Sequence, residues 1–200
     1  MSHLTLDQGK ILVKFARHCV ESYFSAKPIN MPEADEFSEK RGIFVTLNEL
    51  GKLRGCIGFP EPVYALNRAI IESSRAAAFK DPRFPPVTHD ELEEITIEVS
   101  VLTKPELIEV EETQEYLSKI EVGKHGLIIK SMYNSGLLLP QVFIDYECTP
   151  KKALEMTCEK AGIDTDAWQE PEAKIYRFEA QIFEEIEPKG NIIERKNTFK

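Results

Sequence analysis

Apolar residues recur along this chain with two periods. Leu12, Phe15, Ala16, Cys19, Val20 and Tyr23 follow helical spacing behind a Thr5–Gln8 capping-box signal, which predicts a helix from about Leu6 to Phe24. Residues 25–40, with Pro28 and Pro32, read as a polar connection. Ile43–Leu47 and Leu53–Phe59 then read as strands of a hairpin turned at Asn48–Lys52. Beyond Pro60 and Pro62 a helix is expected to open at Pro62, with Ala65, Leu66, Ala69, Ile70, Ser73, Ala76 and Ala77 on a small apolar face. Lys80–Pro86 is turn-rich, Thr88 and Glu91 make a second capping box, and Ile95–Leu102 alternates as a strand with Thr96, Glu98 and Ser100 on one face.

The same order then returns. Residues 109–120 read as a linker with one short acidic helix, followed by a strand from Gly126, a turn at Tyr133–Gly136 and a strand Leu137–Phe143. A helix from Pro150, stopped by Gly162, and a closing strand Ile175–Phe183 complete the set, with Trp168 expected as a lid over that helix. Gly126 stands 84 residues after Gly42, and Leu137 stands 84 after Leu53. The expected fold is therefore α+β: an antiparallel sheet from two duplicated hairpin-helix-strand units, plus an N-terminal helix. Residues 1–187 form the expected domain, with subdomains at about 1–108 and 109–187 that share a cleft, and 188–200 is a polar tail. The offset sets Arg54-Gly55-Cys56-Ile57 opposite Leu138-Leu139-Pro140-Gln141, segments that would meet if the halves packed about a pseudo-twofold axis. Pro140 inside a strand would mark a bulge or an edge.

Composition narrows the partners. A net charge of −9 without a basic block argues against a nucleic-acid binder and against an anionic membrane surface. No apolar run reaches the ~20 residues of a membrane span, and the N-terminus lacks a signal-peptide pattern, so the expected location is cytoplasmic. Four scattered cysteines and four scattered histidines, without CxxC or HxxxH spacing, predict reduced thiols, no structural metal and no cofactor.

The candidate chemistry gathers on Leu53–Gly58. Strand alternation puts Leu53, Gly55, Ile57 and Phe59 on one face and Arg54, Cys56 and Gly58 on the other, with the glycines admitting a close approach. An inward Arg54 needs a partner, and Glu98 is the expected one. Two readings of Cys56 stand side by side: a nucleophile with its pKa lowered by Arg54 and His125 or Glu98 as base, or a small buried filler. Arg54 and Arg83 form either an anion clamp or a structural brace. Phe84 is either a core anchor or a ligand wall, and His125 a base or a turn-binding residue. Gln141 after Pro140 is a further binding candidate, because a buried amide must be satisfied.

Leu-Arg-Gly-Cys-Ile-Gly at 53–58, Lys-Asp-Pro-Arg-Phe-Pro-Pro at 80–86, Val-Gly-Lys-His-Gly at 122–126 and Leu-Leu-Leu-Pro-Gln-Val at 137–142 resemble the AMMECR domain family over nearly the whole chain. The resemblance implies an α+β fold with a cleft bordered by the Arg-Gly-Cys-Ile-Gly strand. It supplies no reaction, since the family has no established biochemical activity, and it implies radical S-adenosylmethionine and Memo-like proteins as partners in a modification pathway. The function expected is binding of a small or peptidic ligand around Arg54, Cys56 and Gln141. A thiol enzyme and a ligand-free scaffold are the alternatives.

Overall fold

A computed structural model describes residues 3–25, 28–29 and 37–196. It divides into two compact units, Met1–Leu102 with Gln181–Arg195, and Thr103–Ala180 with Lys196–Lys200. Most of the 25–40 connection, Pro32 included, lies outside the described residues.

The first unit opens with helix α1 (Leu6–Ser25), whose Thr5–Gln8 box forms in both directions: Thr5 N–H donates to Gln8 Oε1 and Gln8 N–H to Thr5 Oγ1. Strands β1 (Gly42–Glu49) and β2 (Lys52–Phe59) are joined by Leu50 and Gly51, both at positive φ (49° and 76°), the backbone that a two-residue hairpin turn requires. Helix α2 (Leu66–Phe79) starts four residues later than expected, because Lys40 and Ala65 first bridge as extended chain. Strand β3 (Ile95–Leu102) pairs antiparallel with β1 on the side away from β2. Ile43, Val45 and Leu47 meet Val101, Val99 and Ile97 in register, and α1 and α2 close over this face to form one core.

The second unit repeats the plan. Strand β4 (Glu106–Leu107) and a short helix α3 (Tyr116–Lys119), which holds no acidic residue, precede the hairpin of β5 (His125–Ser131) and β6 (Asn134–Leu138). Helix α4 (Pro140–Asp145) follows, then α5 (Pro150–Ala161), which Gly162 ends at φ 70°. Strand β7 (Lys174–Glu185) returns beside β5, so β5 lies between β6 and β7 as β1 lies between β2 and β3. Trp168, 2% exposed, packs in this unit's core against Tyr116.

Two expectations are corrected here. Pro140 does not interrupt a strand: β6 ends at Leu138, and Pro140 takes the first turn of α4, where its missing N–H leaves no ladder bond unmade. The polar tail is in part a strand, β8 (Ile192–Arg195), pairing the end of β7 from Ile182 to Glu185. Residues 197–200 of that tail lie outside the described residues. Among the described residues no helix is long and apolar enough to cross a membrane, and no cluster of three His, Cys, Asp or Glu could hold a metal ion.

Candidate functional site

The hairpin register explains the Arg-Gly-Cys-Ile-Gly strand. Asn48 pairs with Leu53 but Leu47 pairs with Gly55, so Arg54 is an extra residue bulged from β2. In the second hairpin Lys130 pairs with Ser135 and Ile129 with Gly136, without an extra residue. Gly136 is thus the counterpart of Gly55, and Leu137 of Cys56. The 84-residue offset, which set Gln141 against Ile57, does not survive this register. Both glycines serve the same purpose. A Cβ on Gly55 would run into the Ala77 carbonyl of α2, and one on Gly136 into the backbone of α5 at Thr157 and Ala161. The bulge also turns Leu53 off the core face, where it is 44% exposed.

Arg54 is nevertheless buried, and its partner is Glu91 rather than Glu98. Its Nε donates to Glu91 Oε1 at 2.6 Å and its Nη1 to the Pro85 carbonyl at 2.9 Å. Glu91 is preset for this role, because its other oxygen accepts the Thr88 N–H and hydroxyl in the capping box. Burial works against the Glu91 carboxylate, but the hydrogen bonds from Arg54 and Thr88 outweigh it and hold its pKa below the usual range.

Asp81 and Arg83 fasten the same loop to the strand. Asp81 accepts the Cys56 N–H at 2.9 Å, Arg83 Nη2 donates to the Cys56 carbonyl at 3.2 Å, and Arg83 binds both Asp81 oxygens. A carboxylate and a guanidinium thus take the backbone groups that a neighbouring strand would otherwise pair, on a strand with β1 on its other side. The Arg83 hydrogen bonds, against the penalty of burial, hold the Asp81 carboxyl well below the ordinary carboxylate range. Phe84 lies between the two arginines, its ring centre 5.9 Å from the Arg54 guanidinium carbon and 5.4 Å from that of Arg83. Two of the four motifs therefore close on one another as a clasp.

Across the sheet from the clasp, Cys56, Thr46 and Glu98 stand in register on three adjacent strands. The Thr46 hydroxyl donates to Cys56 Sγ at 3.3 Å, Ser100 donates to Glu98 at 3.3 Å, and Arg195 lies 3.6 Å from Glu98. Burial pushes the Cys56 thiol pKa up; the Thr46 hydrogen bond opposes this, Glu98 and Asp81 reinforce it, and Arg83 opposes it. Gly58 occupies the next row, opposite Phe44, where a Cβ would strike the Ile43 and Phe44 backbone.

The remaining candidates belong to the second unit. Gln141 is buried in the first turn of α4 beside Pro140. His125 opens β5, its Nδ1 accepting the Glu121 N–H at 3.0 Å, and it lines a groove of about 540 Å³ with Arg177, Lys119 and Lys124.

This geometry can be set beside known proteins. The AMMECR1 family model matches residues 13–183. The chain belongs to the AMMECR1 family. Its relatives include protein MJ0810 of Methanocaldococcus jannaschii, 50% identical over 98% of this chain and 99% of that one. Protein MK0488 of Methanopyrus kandleri is 48% identical over 96% and 95%. The crystal structure of the uncharacterized protein PH0010 from Pyrococcus horikoshii superposes with a TM-score of 0.90 at 44% identity, covering 94% of this chain and 96% of that one. This family member thus shares its fold with a solved relative.

Sequence reasoning missed Asp81, Thr46 and Arg177 as site residues. Asp81 lay inside a quoted motif and Thr46 on a predicted strand, but their partners are separated by 25 and 10 positions in sequence. Glu91 carried a legible signal, the capping box, and was read only as a helix start.

Proposed function

We propose that this protein is a binding component that holds a small or peptidic ligand, and that it works beside radical S-adenosylmethionine and Memo-like proteins which supply the chemistry. The carrying observation is the setting of Cys56: its peptide N–H and C=O are engaged by Asp81 and Arg83, and burial pushes its thiol pKa up. A nucleophilic cysteine needs the opposite, a lowered pKa with a base in reach. Around this thiol stand Thr46, which donates to it, and two carboxylates that raise its pKa further. In this reading Arg54, Gly55 and Gly58 shape the strand. Arg83, whose side chain is 44% exposed, and the half-buried Phe84 are the clasp residues that reach a ligand or partner. Pro140 and Gln141 set the first turn of α4 within the second unit.

Cross-linking and co-purification of the tagged full chain from its native host test the reading. Recovery of a radical S-adenosylmethionine protein and a Memo-like protein is expected, with recovery lowered several-fold by Phe84→Ala at unchanged melting temperature. Recovery of neither protein after cross-linking contradicts the reading.

A further inference from the structure

The groove lies in the second unit, on β4, α3, β5 and β7. β5 and β7 pair His125 with Glu179 and Leu127 with Arg177, so the four side chains share a face. Farther along this face Ile129 and Ile175 are covered as core, but at His125 and Arg177 the cover opens. Ser118 and Lys119 of α3, then Glu121 and Lys124, form one wall, with Thr103 and Glu106 on the β4 side.

The hydrogen bonds inside this groove leave donors without acceptors. His125 is 7% exposed, and its Nδ1 already accepts the Glu121 N–H. The proton of the neutral ring therefore sits on Nε2, which has no hydrogen-bond partner among the described residues. Arg177 gives one N–H to the Lys119 carbonyl at 2.9 Å, and among the described residues no carboxylate lies within 4.0 Å of it. The lysines differ: Lys119 pairs with Glu115 at 2.9 Å, and Lys124 with Glu179 at 3.5 Å and Glu121 at 3.9 Å. Glu106, exposed beside Arg177 across the β4–β7 pair, has no lysine within 4.0 Å among the described residues.

We propose that this groove binds a small oxyanion, a carboxylate or phosphate group of a ligand, through the Arg177 guanidinium and the Nε2–H of His125. Arginine presents its remaining N–H groups in the planar fork that such oxygens fit. The inference rests on the reading of the protein as one that holds a small ligand, and it adds where and of what charge.

The groups facing His125 fix the expected sign. Burial lowers its pKa, Arg177 and Lys124 add to this, and Glu179 and Glu121 oppose it. A bound anion offsets the two cations and favours the imidazolium, so it raises the pKa.

Histidine ring nitrogen spectra of the labelled full chain, titrated with pH, read this directly. Three samples of equal ionic strength hold sodium chloride, inorganic phosphate or malonate, the last two separating phosphate from carboxylate preference. The His125 midpoint is expected to rise by about one pH unit in at least one oxyanion. Arg177→Gln should abolish the rise, and Glu106→Gln should produce it at several-fold lower anion concentration. Arg177→Lys, with an unchanged amide spectrum, guards against misfolding and should keep only part of the response. A midpoint indifferent to both oxyanions, or an equal rise in Arg177→Gln, overturns the site. Perturbation confined to Arg83 and Phe84 overturns the groove but leaves the binding reading intact, whereas failed partner recovery overturns that reading without touching the groove.

Discussion

Asp81 carries two loads at once, holding the Cys56 N–H and both arms of the Arg83 fork. Its side chain is 2% exposed, so water cannot replace either partner. A carboxyl with a folded pKa below its unfolded one stabilises above the unfolded value, about 3.9, and loses that contribution as pH falls below it. Asp81→Asn keeps an acceptor but removes the charge. We expect it to lower stability in urea by about 2 kcal/mol at neutral pH, the range for hydrogen bonds to a charged group. The gap to the native protein should narrow below about pH 4. A gap that stays constant with acid would show that Asp81 acts by shape alone. The same scale corrects Arg54: the need for an ion partner was legible from an arginine on an apolar strand, but its identity was not. Glu98 shares a sheet face with Cys56, whereas the bulge aims Arg54 at a turn 37 positions away in sequence.

At the scale of elements, the duplicated hairpin and following helix were legible because period-two and period-3.6 patterns repeat at nearly equal spacing. The bulge was not, since no sequence signal separates a bulged residue from a paired one, and one extra residue flips all that precedes it to the other face. That is why Leu53 was assigned to the core and Gln141 to a false counterpart. The corrected register makes a matched prediction. Gly55→Ala and Gly136→Ala each force a helix backbone away from its strand, and each should cost about 1–3 kcal/mol of stability. Equilibrium unfolding checks both; two unchanged midpoints would mean that α2 and α5 are not seated on these glycines.

Over the whole molecule, each unit closes its own core, and the first is tied across its termini by a pair that the sequence did not announce. Arg17 of α1 binds Glu185 at the end of β7, and the pair also holds the Ile95 carbonyl and the Ile97 N–H of β3. An arginine near the middle of an amphipathic helix reads as solvated, and a glutamate near a strand end does too; only their meeting across 168 positions buries them. Removing one partner of such a pair leaves a buried charge, so Glu185→Gln should cost about 3–5 kcal/mol by thermal or urea unfolding. A loss within about 0.5 kcal/mol would place the pair among solvent-screened ones.

The central claim is that the Arg-Gly-Cys-Ile-Gly strand is clasped for binding and does not carry a reactive thiol. Iodoacetamide labelling of Cys56 in the folded protein, followed by peptide mass spectrometry from about pH 6 to about pH 10, tests it most directly. The account predicts slow labelling that rises only above the free-thiol value of about 8.5, with fast labelling once the chain is unfolded. Rapid labelling that levels off below neutral pH would contradict it.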